Sequence, residues 1–390
     1  MHKILMVTER YIPIWGGAEN QLRQLIPSLV EPGSQVSVVT RRWRRDMARF
    51  ELVDGVPVFR LGIPGANPVA TLLFISHLLF FFIFSGRKFD IYHSHGVVKM
   101  GVLCRIGAMC TGAKNVVKIA TAGKVKPLQG SIWGRFLLRV FKQSDAVVCM
   151  TQEISKELDS IGFPRDNVAR IPNAVNCNRF CPELDVLKRR QFRSNLGIPE
   201  NARVVLFAGR LVHRKGVDVL IAAWEQLQDI TDLYLLILGS GTGQADSVEE
   251  AMQRYAVENG LQRLFFLGEN DRPEQFLANS DIFVFPSRLE GFPNALMEAM
   301  ASELPVIVSR IGGNMDLVVE NEAGLFFEKD DVGNLAEQIK ALQADEDNMA
   351  CLGQAARRSM LELYDFNTVG AKYCDLYAYV TSAGRYAGVK

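Results

Sequence analysis

Short apolar runs alternate with helix-length amphipathic segments along almost the entire chain. In the first half, runs rich in Val, Ile and Leu predict strands at Lys3–Thr8, Gln35–Thr40, Val56–Leu61, Asp90–His95, Asn115–Ala120, Ala146–Met150 and Val168–Ile171. In the second half, they predict strands at Arg203–Ala208, Leu233–Leu238, Leu264–Leu267, Ile282–Pro286, Pro305–Ser309 and Gly324–Phe327. Strands that are apolar on both faces and separated by helices are typical of parallel sheets covered on both sides. The pattern therefore predicts an α/β fold built from two Rossmann-like halves.

Two domains also follow from the length of the chain, because 390 residues exceed the usual size of one hydrophobic core. The segment Pro172–Pro182 contains Pro-Asn-Ala-Val-Asn and predicts a linker. We place the first domain at residues 1–175, the second at residues 176–364 and a final segment at residues 365–390. Apolar and aromatic positions from Phe366 to Val380 predict a helix in that final segment.

The near-neutral net charge of +1 hides an asymmetry between the two halves. Residues 1–180 contain 24 Lys and Arg against 12 Asp and Glu, which leaves 20 against 31 in the rest. A basic first half favours anionic partners such as phospholipid head groups or a diphosphate-linked lipid. Nucleic acid is not predicted as a partner, because no nucleic-acid-binding signature accompanies the basic residues. The seven cysteines form no C-x-x-C pair, which favours a reducing compartment without a disulfide framework.

Two segments of the first half have open interpretations. The apolar run of residues 69–84 is shorter than the roughly 20 residues of a spanning helix. It is either a helix buried between the sheet and its neighbours or a helix at a membrane interface. The cluster Arg41-Arg42-Trp43-Arg44-Arg45 is either a solvated basic loop or a loop that contacts the acceptor or a membrane.

Residues suited to phosphate binding follow the first predicted strand of each half. Gly16-Gly17 opens a helical segment, where a glycine pair lets the backbone approach a ligand closely. Arg210 and Lys215 lie between the strand Arg203–Ala208 and the next helical segment. A guanidinium and an ammonium group can together neutralise a diphosphate. The chain has neither a G-x-G-x-x-G fingerprint nor a Walker A loop, so hydride transfer and P-loop chemistry lose support.

Two carboxylates, Glu290 and Glu298, lie eight positions apart across a Gly-Pro loop that leads into a helical run. Pro293-Asn294 predicts the start of the helix, with proline in the first turn and asparagine as a cap. Backbone N–H groups of Phe292, Asn294 and Ala295 would then lie at a helix N-terminus, where phosphates bind. The carboxylates can accept hydrogen bonds from sugar hydroxyls. The segment is therefore a candidate site for a nucleotide sugar.

Taken in order, Gly16-Gly17, Arg210 with Lys215, and Glu290-x7-Glu298 resemble the motifs of glycosyltransferase family 4. The resemblance covers essentially the whole chain and is closest from Gly209 to Lys215 and from Ala278 to Asp331. It implies the GT-B fold, with two Rossmann-like domains facing across an interdomain cleft. It also implies that the last helix crosses back to the first domain.

The resemblance implies a role for each motif residue. Arg210 and Lys215 would bind the donor diphosphate, Glu290 the transferred sugar and Glu298 the ribose of the nucleotide. Gly17 would close on the phosphate from the other lobe, and His95 would face the donor sugar and the reaction centre. The catalytic candidates are thus His95, Arg210, Lys215 and Glu290, and the donor-binding set further includes Gly16, Gly17, Gly291, Phe292, Pro293, Asn294, Ala295 and Glu298.

The chain departs from the family pattern at three places. Glu303 replaces the usual glycine before Leu-Pro, and Asp316 replaces the usual glutamate after the Gly-Gly turn. The segment from Ala120 to Lys124 replaces a His/Gly-rich loop that tends to face the acceptor. Lys124 and the cluster Arg41–Arg45 are our candidates for contacts with the acceptor or a membrane.

The resemblance implies a retaining glycosyltransferase that moves a sugar from a nucleoside diphosphate donor, such as a UDP-sugar, to a hydroxyl acceptor. Basic side chains and helix N-termini would neutralise the leaving group, so neither a metal ion nor another cofactor is expected. We expect a glycan or lipid-linked acceptor in the synthesis of cell-surface polysaccharide, lipopolysaccharide or glycolipid. The expected location is cytoplasmic, including the cytoplasmic face of a membrane. The alternatives are a nucleotide-sugar 2-epimerase of the same fold and a non-catalytic, membrane-associated scaffold.

Overall fold

The computed structural model describes residues 1–14, 16–30, 32–96, 98–123 and 125–382. The chain divides into two compact units. Unit 1 contains Met1–Asn173 together with the segment that begins at Phe366, and unit 2 contains Ala174–Asp365. Each unit is built around one sheet.

The sheet of unit 1 has eight strands. They are β1 Lys3–Thr8, β2 Gln35–Arg41, β3 Phe50–Val53, β4 Val56–Leu61, β5 Ile91–Gly96, β6 Lys114–Ile119, β7 Ala146–Cys149 and β8 Val168–Arg170. Their order across the sheet is β3-β4-β2-β1-β5-β6-β7-β8. All neighbouring strands are parallel except β3 and β4. The seven strands predicted in this half are confirmed, with ends that shift by one residue at most of them.

The eighth strand, β3, lies outside the sequence prediction. It pairs with β4 in an antiparallel hairpin, with Val53 opposite Val56. The two residues between them, Asp54 and Gly55, have φ angles of 51° and 79°. An Asp-Gly pair with two positive φ angles is a favoured two-residue hairpin turn. The hairpin extends the sheet by one antiparallel edge strand.

Five helices connect the strands of unit 1. They are α1 Gly17–Val30, α2 Pro68–Ser85, α3 Val98–Thr111, α4 Ile132–Phe141 and α5 Gln152–Ser160. In α2, the buried residues Ala70, Phe74, Leu78 and Phe82 follow a spacing of four, so they form a single stripe along the helix. The rest of α2 is partly or fully exposed. The interpretation of this segment as a helix buried between the sheet and its neighbours therefore holds only for the stripe, which packs into a core cluster with Leu5 and Val39 of the sheet.

Unit 2 has a six-stranded parallel sheet. Its strands are β9 Arg203–Ala208, β10 Leu233–Leu238, β11 Leu264–Gly268, β12 Ile282–Phe285, β13 Val306–Ser309 and β14 Leu325–Phe327. Their order is β11-β10-β9-β12-β13-β14. All six strands predicted in this half are confirmed. Their Val, Ile, Leu and Phe side chains are largely buried because helices cover both faces of a doubly wound sheet.

Eight helices belong to unit 2. They are α6 Val186–Asn195, α7 Val217–Glu225, α8 Glu249–Glu258, α9 Pro273–Ala278, α10 Asn294–Ala301, α11 Gly312–Met315, α12 Val332–Gln343 and α13 Glu346–Ser359. The fully buried Trp224 of α7 lies in a core cluster that also includes Leu235, Val284 and Ile339. This packing fixes α7 and α12 on the sheet and so fixes the loop that precedes α7.

The last helix, α14 Phe366–Thr381, returns to unit 1 and packs on α1. The two helices approach closely at Gly370, where an added Cβ atom would lie 2.5 Å from Ser28 Oγ. The aromatic residues Tyr373 and Tyr377 of α14 are fully buried. The predicted C-terminal helix is confirmed, and it completes the cover of the first sheet.

Both sheets reverse their direction of winding at one point. In unit 1 the point lies between β1 and β5, and in unit 2 it lies between β9 and β12. Ligands of open parallel sheets bind beyond the carboxyl ends of the strands at such a point. In each unit, the loops that follow these two central strands are therefore the places to look for a site.

Candidate active site

The loop after β9 carries two of the predicted cations, Arg210 and Lys215. Residues His213–Lys215 form a short 3₁₀ turn that ends at Gly216, which has a φ angle of 69°. An added Cβ atom at Gly216 would lie 1.9 Å from the carbonyl oxygen of Pro286, so only glycine fits there. The loop after β9 and the loop after β12 are therefore in backbone contact.

Lys215 and Glu290 meet across these two loops. Lys215 Nζ lies 2.6 Å from Glu290 Oε1, and the two side chains are 12% and 8% exposed. The ammonium group also lies 4.8 Å from the ring centre of Phe285, at the end of β12. Burial lowers the pKa of Lys215, and the charge of Glu290 and its hydrogen bond oppose that shift. The site thus holds a buried ion pair at the winding-reversal point of unit 2.

Arg288 holds the two loops in register and was not among the predicted site residues. Its Nη1 and Nη2 atoms donate to Asp218 at 2.8 and 2.7 Å, and its Nε atom donates to Asp330 at 2.6 Å. Its backbone N–H donates to the carbonyl oxygen of Arg214 at 2.8 Å. The sequence signal was available but weak, because an arginine at the end of a strand is more often solvated.

The N-terminus of α10 differs in detail from the prediction. Pro293 occupies the cap position with extended backbone angles, and Asn294 is the first residue of the helix. The predicted roles of the two residues are therefore wrong by one position, because the extended conformation of proline ends the preceding loop. No side chain caps the helix at this end. A helix N-terminus is a common place for an anion to bind, so this end of α10 stays a candidate contact for a phosphate.

The Gly291–Pro293 loop is packed against its surroundings. An added Cβ atom at Gly313 would lie 2.6 Å from the carbonyl oxygen of Gly291 and 2.9 Å from that of Glu290. The ring of Phe292 is buried and lies 6.0 Å from that of Tyr364. Close backbone packing of this kind fixes the loop before any ligand binds.

Glu298 lies on α10, one turn after its start, and is only partly exposed. Burial raises its pKa to about 7, the charge of Arg179 opposes the shift, and Glu274 adds to it. Arg179 itself is bound to Glu274, with Nη2 2.9 Å from Oε2. At neutral pH, Glu298 is therefore divided between its protonated and ionised forms.

Arg210 is exposed and lies at the end of β9. Its Nη1 atom donates to Gln244 Oε1 at 3.2 Å. A hydrogen bond to a neutral amide is easily exchanged for one to an anion, whereas Lys215 already has a carboxylate partner. The structure thus brings Lys215 and Glu290 together and leaves Arg210 with a neutral partner.

In unit 1, His95 lies at the carboxyl end of β5, in register with Thr8 of β1 and Lys118 of β6. Its ring centre lies 4.3 Å from that of His93. Burial lowers the pKa of His95 well below its ordinary value, and the nearby His93 and Lys118 add to the shift. Burial likewise lowers the pKa of His93 to about 3. Both imidazoles are therefore neutral at neutral pH.

Lys118 is a second residue that the sequence analysis missed. It is only 6% exposed, and its Nζ atom donates to Asn173 Oδ1 at 3.0 Å and lies 5.8 Å from the ring centre of Tyr373. Burial lowers its pKa to about 8. The signal in the sequence is a lysine inside an apolar strand, Val116-Val117-Lys118-Ile119. Lysine side chains strongly prefer water, so a lysine inside an apolar strand indicates a specific polar environment in the folded protein.

Several polar atoms around Lys118 are buried without a hydrogen-bond partner among the described residues. They are Nε2 of His93, Nε2 of His95 and the hydroxyl of Tyr373. His93 Nδ1 lies 2.6 Å from the hydroxyl of Tyr377. These residues and Lys118 form a buried polar cluster beneath α14, which we call the histidine–lysine cluster.

The remaining predicted residues of unit 1 lie at three places along the chain. Gly16 precedes α1 and accepts a backbone hydrogen bond from Asn20, and Gly17 is the first residue of α1. Lys124 lies outside the described residues. The amides of its neighbours Gly123, Val125 and Lys126 donate to the carboxylate of Glu157, at 2.9, 2.9 and 2.7 Å.

The cluster Arg41–Arg45 folds back on unit 1. Arg41 is buried, donates to the carbonyl oxygen of Gly65 at 2.6 Å and lies 4.3 Å from the ring centre of Trp43. Trp43 Nε1 donates to the carbonyl oxygen of Glu9 at 2.8 Å. Arg42 donates to the carbonyl oxygens of Met47 and Arg45. Of this cluster, only Arg44 and Arg45 have exposed side chains.

Among the described residues, no group of three or more His, Cys, Asp or Glu side chains is arranged to hold a metal ion. An Asp-x-Asp string does occur at residues 345–347. Asp345 is the cap of α13, and its carboxylate accepts from the amide of Asn348 at 3.0 Å. That string therefore has a structural role at the start of a helix.

Two family models match the chain. The model described as glycosyl transferase 4-like domain matches residues 16–174, and the model described as glycosyl transferases group 1 matches residues 188–359. The first match contains Gly16, Gly17 and His95, and the second contains Arg210, Lys215, Glu290 and Glu298. Together the two matches cover most of the chain and all the candidate catalytic residues.

Relatives and solved structures agree with these matches. An uncharacterized glycosyltransferase from Methanocaldococcus jannaschii is 25% identical over 391 residues, which is 96% of this chain and 97% of the relative. A lipopolysaccharide core biosynthesis glycosyltransferase from Rhizobium meliloti is 28% identical, over 93% of this chain and 96% of the relative. The structure of Anabaena HepE in complex with UDP-glucose superposes with a TM-score of 0.77, at 20% identity, over 97% of this chain and 100% of HepE. The chain belongs to the group 1 glycosyl transferases of glycosyltransferase family 4 and has the GT-B fold.

Proposed function

We propose that this glycosyltransferase transfers a sugar from a nucleoside diphosphate sugar to a hydroxyl acceptor with retention of configuration at the anomeric carbon. The observation that supports it most is the buried pair of Lys215 and Glu290 at the winding-reversal point of unit 2. A cation for the leaving diphosphate and a carboxylate for sugar hydroxyls are thereby placed side by side. Glu298 on the same loop–helix segment can bind the ribose.

In the proposed reaction, the bond between the anomeric carbon and the leaving phosphate oxygen breaks while the acceptor oxygen attacks from the same face. The leaving phosphate oxygen takes the proton of the acceptor hydroxyl. Negative charge grows on the diphosphate, where Lys215, Arg210 and the first-turn amides of α10 stabilise it. Because these groups are already in place, little reorganisation is needed as the charge develops. We propose that no metal ion is required.

We assign His95 a hydrogen-bonding role at the reaction centre. Its imidazole is neutral over the physiological pH range because burial disfavours the charged form. A neutral ring can accept a hydrogen bond from a sugar hydroxyl or donate one to a sugar oxygen. It would not add a second positive charge beside a developing oxocarbenium ion.

Donor binding should favour the ionised form of Glu298. The carboxylate accepts hydrogen bonds from ribose hydroxyls, so binding favours ionisation of a group whose pKa in the free protein is about 7. Donor affinity should therefore rise as the pH increases from below 7 to above it. Calorimetry in buffers of different ionisation enthalpy would detect the released proton, and Glu298→Gln should abolish both the release and the pH dependence.

We further propose an acceptor on a glycan or a lipid, used at the cytoplasmic face of a membrane. The support is the Rhizobium meliloti relative, whose name places it in the synthesis of lipopolysaccharide core. The complex of HepE with UDP-glucose makes a UDP-sugar the first donor to test.

A panel of UDP-, GDP- and ADP-sugars, scored by the rise in Tm of the purified protein, tests the donor assignment. One donor class should raise Tm in the parent protein and lose that effect in Lys215→Ala. Absence of stabilisation by every donor would contradict the proposal. If the sugar of the stabilising donor changes configuration at carbon 2 without any acceptor, the protein is an epimerase of the same fold.

A further inference from the structure

An unusual amount of apolar surface is exposed on one face of unit 1. Helix α2 exposes the side chains of Val69, Leu72, Phe80, Ile83 and Phe84. Helix α4 exposes Ile132, Trp133 and Phe136, with Trp133 77% exposed. Helix α3 adds Ile106 and Met109. Large apolar side chains concentrated on exposed helix surfaces mark an interaction site.

These three helices are neighbours on the same face of the sheet. Helices α2 and α3 share a core cluster through Phe82 and Cys104, and α3 and α4 share another through Val102 and Leu138. The exposed side chains lie on the sides of the helices that face away from these cores. We call the ten exposed apolar residues of α2, α3 and α4 the apolar face.

Helix α4 shows most plainly that the apolar face is not an accident of packing. Its inner side chains Leu138 and Phe141 are buried in the core. An ordinary amphipathic helix has polar residues on its outer side. The outer side of α4 nevertheless carries Trp133 and Phe136 together with Arg135. A tryptophan beside an arginine on an exposed helix is typical of the boundary between lipid tails and head groups.

The charges around the apolar face select its partner. The sequences of α2, α3 and α4 contain no Asp or Glu. Exposed cations occur within or directly after each helix, at Arg87, Lys88, Lys99, Arg135 and Arg139. A second copy of the same face would bring these cations together without any carboxylate from the three helices to pair with them. Anionic lipid head groups would instead neutralise them while the apolar side chains enter the lipid.

The length and burial of α2 determine which of its sides a lipid could contact. The segment Pro68–Lys88 is long and apolar enough to cross a membrane, with 28% of its most apolar window buried inside the protein. The buried stripe of Ala70, Phe74, Leu78 and Phe82 holds α2 against the rest of unit 1. A helix fixed in this way can lie along the interface with its outer side in contact with lipid.

We propose that the apolar face is a membrane-docking surface that selects anionic lipids. The surface differs from the cluster Arg41–Arg45, whose Trp43 is only partly exposed and donates to the carbonyl oxygen of Glu9. The inference rests on the proposed location of the enzyme at a membrane, for which it names the surface. It does not depend on the donor chemistry, so binding to lipid and transfer of sugar can fail independently.

The test is flotation of the full-length protein with vesicles of phosphatidylcholine alone and of phosphatidylcholine mixed with phosphatidylglycerol. The parent protein should float with the anionic vesicles at low salt and lose binding as salt increases. The double variant Trp133→Ser/Phe136→Ser should bind at least about tenfold more weakly, as should Arg135→Glu/Arg139→Glu. A matched control is Leu184→Ser/Leu187→Ser, which removes two exposed apolar side chains of unit 2 and should float like the parent protein.

A second readout locates the contact within the protein. Lipids brominated in their acyl chains should quench part of the tryptophan fluorescence of the parent protein, and Trp133→Phe should lose that part. The proposal is overturned if the parent protein does not float or if the α4 variants float as well as the control. It is also overturned if light scattering shows a dimer that the α4 variants dissociate, because the apolar face would then bind a second copy. Stabilisation by donor sugars is measured in the same variants and reports on the proposed function separately.

Discussion

Each unit buries a lysine near the carboxyl ends of its strands, but the two units treat the charge of that lysine differently. In unit 2, Lys215 is buried beside Glu290 at 2.6 Å, so its charge is neutralised by a carboxylate. In unit 1, Lys118 is buried beside a neutral amide, with Asn173 Oδ1 at 3.0 Å and two neutral imidazoles nearby. The same residue type is thus held as a paired cation in one sheet and as a weakened base in the other.

The difference shows what each site is prepared for. A preformed ion pair holds the ammonium group of Lys215 next to the place where a diphosphate would bind. The histidine–lysine cluster lowers the pKa of every basic group in it, so it disfavours positive charge near His95. The loops of unit 2 thus hold a charged pair, whereas His93 and His95 of unit 1 are neutral hydrogen-bonding groups.

The largest effect should come from separating Lys215 and Glu290. Lys215→Ala and Glu290→Ala should each reduce transfer by about 10²–10³-fold or more, because a preorganised electrostatic contact is lost. The measurement is the initial rate with the donor that stabilises the parent protein. Circular dichroism shows whether each variant is folded.

Arg288→Lys is the matched control that separates the positioning of the two loops from the charge that Lys215 provides. It keeps a cation beside Asp218 but loses the fork of donors that also reaches Asp330. Because Arg288 orders the loops without carrying the leaving-group charge, its variant should retain more activity than Lys215→Ala. Full activity in Lys215→Ala or in Glu290→Ala would remove that residue from the mechanism.

The second prediction separates the contribution of the Lys215–Glu290 pair to the stability of the protein from its contribution to transfer. Removing one partner of a buried ion pair leaves an uncompensated charge and costs about 3 kcal/mol or more. Lys215→Met and Glu290→Gln should each lower the free energy of unfolding of unit 2 by about that amount. The double variant should recover most of the loss while remaining inactive. Additive losses in the double variant would show that the two side chains are not coupled.

The third effect is a pH dependence that belongs to unit 1. The pKa of Lys118 is about 8 in the folded protein against an ordinary value of 10.5, so between these values the unfolded chain binds more protons. Stability should therefore rise as the pH increases from 8 to 10.5, by about 3 kcal/mol in total. Below pH 8 the full cost of the buried charge is present. Denaturant unfolding across this range measures the slope.

Lys118→Met should remove that slope, because methionine has a similar shape and no proton to lose. Lys215→Met is the comparison from unit 2, where the carboxylate of Glu290 opposes the effect of burial. The same alkaline slope in Lys118→Met as in the parent protein would show that Lys118 is not the titrating group. It would also remove the contrast between the two buried lysines.

The sequence predicts most of this architecture because parallel strands buried on both faces are uniformly apolar. The sequence pattern does not predict strand β3. Its residues Phe50–Val53 lie at a sheet edge and are half exposed, so their hydrophobic pattern is weak. The Asp54-Gly55 turn was the available signal for it. The motif residues Lys215 and Glu290 could be placed at strand ends, but their ion pair could not, because it depends on the order of β9 and β12 across the sheet.

Lys118, Arg288 and the apolar face show a different limit. The partners of Lys118 lie on β5, on α14 and at Asn173, far apart in the sequence. The apolar residues of α4 cover more than the side that packs on the core, and only the packed structure shows which of them remain exposed. Long-range packing, rather than local pattern, decides these features.

The smallest effect should come from the other end of α10, where Glu303 follows the helix with a φ angle of 66°. This left-handed conformation suits glycine and costs other residues about 1 kcal/mol. The ion pair of Glu303 with Arg357, at 3.8 Å, is partly exposed and adds little. Glu303→Gly should therefore raise the free energy of unfolding by up to about 1 kcal/mol.

Asn321→Gly is the matched control, because asparagine tolerates its φ angle of 59° and should gain less. Since Glu303 and the donor-binding loop lie at opposite ends of α10, donor affinity should not change in Glu303→Gly. A loss of donor binding in that variant would mean that the loop depends on the far end of its helix, and the separation between scaffold and site in unit 2 would fail.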